Sequence, residues 1–407
     1  MRTRTQQGPR TSTRQQGGRR RRTVSAAAAT AIGVMTLAAL TPPASSSAAS
    51  TSVSTSTSVS AAAAIARPDA VQQALNTLVR DDGMPAALAS VKGRDGRTRT
   101  YTAGVGDLAT HAPVPVDGQV RIGSNTKTFT AVVVLQLVGE GKIALDADVD
   151  TYLPGLVRGK GIDGRRITVR QLLQHTSGLP DYGMHIDDDE LRDRYFEPRE
   201  LLDIALRYKA DAAPGKTWGY SNTNYLLAGL IVQKVTGRPL AEEIDRRVIK
   251  RVGLRHTYFP TPGDKTIREP HPHGYHRNPA DGPLRDFTET DPSAGWAAGQ
   301  LVSTDSDLNR FFGALLAGRL LPAAQLAEMR TTVPAGGSGL RYGLGLTSRL
   351  LSCGGVYWGH GGDIPGYETR GGATDDGRAV NVSVTSIPTD ETAVQHVKDA
   401  VDSALCG

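Results

Sequence analysis

Acidic residues are missing where basic ones crowd: Arg2, Arg4, Arg10, Arg14 and Arg19 to Arg22 come before residue 23 with no carboxylate among them. Without these eight, 39 basic residues face 41 acidic ones. The net charge of +6 and the sequence pI near 9.3 therefore belong to the first segment, and the rest of the chain is not a basic nucleic-acid binder. Long apolar runs are also scarce. The alanine-rich stretch Val24 to Leu40 stands alone, and no other stretch is suited to spanning a membrane. Arginines, an apolar stretch and the small-residue end "TPPASSSAAS" read as an export signal over 1–48, with a Ser/Thr/Ala-rich disordered leader over 49–66. The reading implies a secreted protein with no stable membrane anchor. The alternative is that Val24 to Leu40 is itself an anchor. Cysteine is nearly absent. Export would place Cys353 and Cys406 in an oxidising compartment, where a pair implies a disulfide rather than two thiols. No cysteine flanks the histidine-rich "HPHGYH" at His271 to His276, and there is no H-E-x-x-H, so that segment reads as a loop over the site rather than a metal centre. No internal repeat is found.

What remains is enough for one large domain over 67–407. Ala70 to Arg80 has helical periodicity, with Asp69 placed to cap it. Ala86 to Val91 and Thr98 to Val105 read as strands. Strands return at Tyr342 to Leu346, Val356 to Trp358, Tyr367 to Gly371 and Ala379 to Ser386, and Glu391 to Leu405 closes as a helix. Leu308 to Ala317 and Pro322 to Arg330 are helical. Strands at both ends with helices between predict an α+β fold: an antiparallel sheet built from both ends of the domain and flanked by helices, with a mostly helical sub-domain at about 140–300. Asp187 to Glu190 reads as a solvated acidic face.

Three short motifs carry the candidate chemistry. "GSNTKTFTAVVVLQL" puts Ser124 and Lys127 one turn apart at the start of a helix that is apolar on nearly every side. An ammonium in dry surroundings is destabilised, and its neutral amine can accept a serine proton. The bland alternative is a serine cap beside a snorkelling lysine. In "WGYSNTNYLLAGL", Tyr220 and Asn222 precede an apolar helix, which Ser221 or Asn222 is placed to cap. In "YWGHGGDIPGY", His360 ends a strand, and the following glycines let backbone N–H groups approach a ligand.

Taken in order, S-x-x-K, Y-x-N and H-x-G, with first residues 96 and 140 apart, resemble the serine β-lactamase and DD-peptidase superfamily. The branch is that of class C β-lactamases and secreted D-alanyl-D-alanine carboxypeptidases. "LLQHTSGLPDY", "PGKTWGYSNTNYLLAG", "AAGQLVSTDSDL" and the cysteine pair extend the resemblance over residues 70 to 407. The resemblance implies a secreted serine hydrolase of the DD-carboxypeptidase type, acylated by β-lactams and needing no cofactor or metal. Its partners would be peptidoglycan stem peptides or related D-amino-acid peptides and esters. The alternatives are a β-lactamase, an esterase or D-amino-acid amidase on the same scaffold, or a non-catalytic sensor. The implied roles are Ser124 as nucleophile, Lys127 as its base, Tyr220 as proton shuttle, His360 tuning Tyr220, and Asn222 contacting the substrate amide. Backbone N–H groups of Ser124 and Asp363 would form the oxyanion hole, with Gly361 beside them. Trp296 is placed either in the cleft or in the core.

One departure is notable. Related carboxypeptidases hold a terminal carboxylate with hydroxyls in a His-Thr-Gly-Thr segment and an arginine on the preceding strand. Here the segment is His360-Gly361-Gly362-Asp363, and Thr347 stands where the arginine is expected. Two like charges about 4 Å apart repel by roughly 1 kcal/mol in water and about 4 at an effective dielectric of 20. Asp363 is therefore expected to disfavour a free carboxylate. Arg349, on the same alternating face as Thr347, is expected to substitute for the arginine or to pair with Asp363.

Overall fold

The computed structural model describes residues 69–337 and 339–407. The export signal and the whole of the leader fall outside them. β1 (Ala86–Lys92) and β2 (Thr98–Gly104) form a hairpin at one end of the main sheet. β3 (Thr347–Leu350), β4 (Val356–Gly359), β5 (Gly362–Ile364), β6 (Tyr367–Ala373) and β7 (Ala379–Val384) supply most of the rest. The order is β2-β1-β7-β6-β4-β3, continued by the short pairs at 341–342 and 333–334, and every pairing is antiparallel. This is the α+β arrangement expected.

β7 shows how the sheet is covered. Val380, Val382 and Val384 pack in a core with α1 (Ala70–Arg80) and α5 (Glu391–Cys406). The alternate residues face α4 (Asp305–Leu316), where Asn381 donates to Asn309 Oδ1 at 2.9 Å and Ser383 to Asp305 Oδ1 at 2.6 Å. Sheet and helices thus form a sandwich, and α2 (Thr126–Gly139) and α3 (Asn222–Thr236) pack against each other. α2 is buried from Thr126 to Leu137, on all sides, as its nearly continuous apolar composition requires.

Three local expectations are corrected. Tyr342 to Leu346 alternates like a strand, but only Arg341–Tyr342 pairs; Gly345 takes φ +75° in a turn, and the strand is Thr347–Leu350. A side chain at Gly345 would collide with Ala131 of α2, so the turn is fixed by close packing. Ser221 stands at the cap position of α3 without capping it, since its hydroxyl donates to Pro180 O at 3.1 Å. Asp187 to Glu190 is not simply a solvated face. Asp188 and Asp189 open a short helix, Asp188–Asp193; Asp188 holds His276 and Asn278, and Asp189 pairs with Arg285, docking the helix onto residues 276–285. Cys353 and Cys406 are joined as a disulfide that ties the end of α5 to the loop between β3 and β4. Among the described residues no helix is long and apolar enough to cross a membrane.

Candidate active site

Ser124 sits in the tight turn Gly123–Asn125 that leads into α2. The turn is fastened from below, with Asn125 Nδ2 donating to Thr369 Oγ1 at 2.6 Å and to Ile122 O at 3.1 Å. One turn on, Lys127 is fully buried. Its Nζ reaches Ser124 Oγ at 2.9 Å, Asn222 Oδ1 at 2.7 Å and Ala298 O at 2.9 Å. Two of these partners only accept in this arrangement, whereas a serine hydroxyl can also donate. A neutral amine therefore donates to Asn222 and Ala298 and turns its lone pair on Ser124. Desolvation brings this ammonium down to about 7, while the nearby Asp181 and Asp363 carboxylates pull it up.

Tyr220 donates from the other side, its hydroxyl 2.8 Å from Ser124 Oγ. Limited solvation, then Tyr342, keep its phenol above the usual range, damped because the residue is 37% exposed to the cleft. Protons are thus lined up from Tyr220 to Ser124 to Lys127. His175, buried with its Nδ1 accepting from Ser221 N and Asn224 Nδ2, packs 4.3 Å from the Tyr220 ring and holds this segment in place.

His360 does not bond Tyr220. Its Nδ1 faces Gly361 O at 2.5 Å, and its Nε2 accepts from Tyr342 at 2.9 Å, so it influences Tyr220 only across a 6.5 Å ring contact. Burial first, then Lys127, lower it to about 3, so it is neutral. Asn222 bridges Lys127 and Asp181, giving its Nδ2 to Asp181 Oδ2 at 3.0 Å.

The backbone of β5 completes the centre. β4 and β5 run along the same partner strand, interrupted at His360 and Gly361. The turn Pro365–Gly366 closes on the pair Ile364–Tyr367, so the next pair, Asp363–Glu368, is of the non-hydrogen-bonded kind. Asp363 N–H therefore points away from β6, toward the serine turn. A Cβ at Gly123, where φ is +49°, would lie 3.1 Å from that nitrogen, which is why glycine precedes the serine. The Asp363 side chain pairs with Arg370, not with Arg349: Oδ1 is 2.6 Å from its Nη1, and Arg370 Nη2 lies 3.2 Å from the buried Glu368. Register decides this, because Arg370 lies diagonally across from Asp363 on one face of adjacent strands. Gly361 has no Cβ because one would sit 2.8 Å from Arg370 Nη1.

Two cavities meet at Ser124, Asn222 and Asp363. One, about 350 Å³, is lined by Tyr220, Tyr342, Thr347, Arg349, His360, Gly361 and Arg370. The other, about 230 Å³, is lined by Asp181, Asp291 and Asp363, by apolar Tyr182, Met184, Leu191, Ile364 and Pro365, and by no basic residue. Trp296 lines neither; it packs on Gly229 of α3, where a Cβ would meet its ring at 2.9 Å. His271 to His276 lines neither as well. His273 pairs with Asp286 and His276 with Asp188, and among the described residues no three His, Cys, Asp or Glu are grouped to hold a metal.

The motifs named Ser124, Lys127, Tyr220 and Asn222, and the structure brings them together. They did not name Asp181, Tyr342, Ala298, Arg370 or Glu368. His175 and Asp181 lie in "LLQHTSGLPDY", where the spacing gives no hint of which distant residue each would meet.

The family model described as Beta-lactamase matches residues 71–404. The crystal structure of a D-stereospecific amidohydrolase from Streptomyces sp. is 40% identical with a TM-score of 0.74, over 82% of this chain and 98% of that one. The D-amino acid amidase of Ochrobactrum anthropi SV3, complexed with L-phenylalanine amide, is 29% identical with a TM-score of 0.73, over 82% and 96%. Esterase EstB of Burkholderia gladioli is 34% identical over 55% of this chain and 56% of its own. The chain spans less than two thirds of the length of the curated relatives it matches first.

Proposed function

This chain belongs to the beta-lactamase family and is a hydrolase of the serine β-lactamase fold, and we propose that it cleaves amides, short peptides and esters of D-amino acids through an acyl-enzyme on Ser124. The observation that carries the chemistry is the hydroxyl held at 2.9 Å from a desolvated lysine and 2.8 Å from a tyrosine. Ser124 Oγ bonds to the substrate carbonyl as its proton passes to Lys127 Nζ. The oxyanion is met by the N–H groups of Ser124 and Asp363, an arrangement worth several kcal/mol in such sites. The C–N bond breaks as Tyr220 gives its proton to the departing amine, and the Lys127 ammonium, which converges with Tyr220 on Ser124 Oγ, returns the proton it took to the Tyr220 oxygen. Water then releases the acid.

The substrate class follows from the two cavities. Tyr220 lines the 350 Å³ cavity but not the 230 Å³ one, so the leaving group lies in the first and the acyl part in the second. Asp181 and Asp291, which form no ion pair among the described residues, and an apolar wall suit a free α-ammonium on an apolar D-residue; the third carboxylate, Asp363, is already paired with Arg370. The names of the Streptomyces and Ochrobactrum neighbours agree with this reading. A D-alanyl-D-alanine carboxypeptidase is the second reading. It is favoured by Arg349 in the leaving-group cavity and by Arg370, which offsets the Asp363 charge expected to repel a carboxylate. Export to the cell exterior accompanies either reading.

Hydrolysis of D-phenylalanine amide and of N-acetyl-D-alanyl-D-alanine separates the two, and faster turnover of the second would reverse their order. Intact-protein mass spectrometry with penicillin tests the shared chemistry. A stable or transient adduct should form on Ser124 and vanish in Ser124→Ala, and an adduct persisting in that variant would place the nucleophile elsewhere.

A further inference from the structure

The leaving-group cavity does not end the cleft. Arg349 and Tyr357 line it and also line a further cavity of about 390 Å³ between β3 and α5, where Lys398 of α5 joins them. Among the described residues neither the Arg349 nor the Lys398 side chain has an ion-pair or hydrogen-bond partner. The carboxylates in that cavity are engaged. Asp402 accepts from Ser352 N and its hydroxyl, and Asp399 accepts from Gln395 at 2.7 Å. Arg370 is taken up by Asp363 and Glu368. Burial, then Arg349 and Arg370, lower the Lys398 ammonium, while Glu368 and Asp399 only partly offset them. The two carboxylates balance the two cations in number, but they are held by neutral donors and pair with neither, so the Arg349 and Lys398 side chains keep their donors open to the cavity. The Cys353–Cys406 disulfide ties together the two elements carrying them.

We propose that this outer cavity is a subsite for a carboxylate on the leaving group, gripped by Arg349 and Lys398 about two residues beyond the scissile bond. Thr347 lines the inner cavity, and Arg349 lies two strand residues further on, about 7 Å. An extended leaving peptide advances about 3.5 Å per residue, so a departing dipeptide brings its terminal carboxylate to Arg349. The guanidinium fork matches a carboxylate, and Lys398 adds a point charge. The proposal rests on the serine-hydrolase reading and adds to it a preference for leaving groups that carry a distal anion.

The test uses D-Phe-Gly-Gly as free acid and as C-terminal amide. The ratio of kcat/KM for release of the Gly-Gly portion, acid over amide, is expected to be about tenfold in the wild type. It should fall to within twofold in Arg349→Gln/Lys398→Gln and stay in the charge control Lys142→Gln. The same two peptides are titrated calorimetrically into the full-chain Ser124→Ala variant, with and without the double substitution, which reads the subsite independently of turnover. Equal binding of acid and amide, or a preference surviving the double substitution, overturns the proposal. Tighter binding of the acid without any turnover by the wild type sinks the proposed function and leaves the subsite standing.

Discussion

Removing the buried amine in Lys127→Met affects catalysis and stability in ways that can be measured apart. The amine takes the serine proton only when neutral. With an ammonium at about 7, it is about nine tenths neutral at pH 8, half at pH 7 and a tenth at pH 6. kcat/KM for D-phenylalanine amide, taken per ammonium form of the substrate because its α-amine titrates at about 8, should therefore fall about tenfold from pH 8 to pH 6, and Lys127→Met should slow acylation at least about 100-fold. His175 and His360 are held neutral by burial and do not titrate in this window. Glu368, raised to about 7 by burial, does, so the limb should persist in Glu368→Gln. The stability effect has its own sign. An unfolded lysine keeps its proton up to 10.5, whereas the folded one releases it above about 7. Between these values the unfolded state binds more protons, so the fold gains stability as pH rises, and below 7 the full cost of burial is present. Measured against Lys127→Met by urea denaturation, the wild type should gain about 2.5 kcal/mol between pH 7.5 and 9.5. A difference that stays constant over that interval would refute neutralisation of the lysine in the fold. A flat kcat/KM profile from pH 5 to 8 would place the base elsewhere.

Gly123→Ala puts a Cβ against the backbone of Asp363, 3.1 Å from its nitrogen, so kcat should drop by about 10²- to 10³-fold, the scale of a lost oxyanion donor, with KM nearly unchanged. A loss under twofold would show that this contact does not position the N–H. Tyr220→Phe removes the proton given to the leaving amine, so steady-state turnover of an amide should fall about 100-fold while that of an activated aryl ester falls far less. Equal losses on the two substrates would count against a role in leaving-group protonation.

Much of the centre was legible because its chemistry is concentrated in short segments. A lysine opening a helix with no polar stripe admits few explanations, and α2 is indeed buried on every side. What was hidden depends on tertiary pairing. Nothing in Gly-Asp-Ile says that Asp363 lies opposite Glu368 and diagonal to Arg370; the length of the Pro365–Gly366 turn sets that register, and with it the partner of Asp363. Trp296 looked equally suited to cleft and core, and the decision came from a glycine on another helix, Gly229, that leaves it a place to pack. In Tyr342 to Leu346 an alternation of apolar residues and glycine imitates a strand. The φ of +75° at Gly345 and the approach of Ala131 make it a turn instead.

The carboxylates that set the lysine also line the acyl cavity, and this links binding to catalysis. Desolvation alone would drive the Lys127 ammonium further down; Asp181 and Asp363 hold it at about 7. Asp181 has one oxygen committed to Gly183 N and the other to Asn222 Nδ2, and among the described residues no cation forms an ion pair with it. A substrate ammonium entering the 230 Å³ cavity would offset part of the field that Asp181 and Asp363 exert on Lys127. The amine would then be neutral at a lower pH in the complex than in the free enzyme. kcat reports the groups of the complex and kcat/KM those of the free enzyme, so the acid limb of kcat should lie below that of kcat/KM for a substrate with a free ammonium. The two limbs should move together for its N-acetylated counterpart, which brings no charge. If acetylation leaves the separation of the limbs unchanged, the substrate's charge is not what tunes the base.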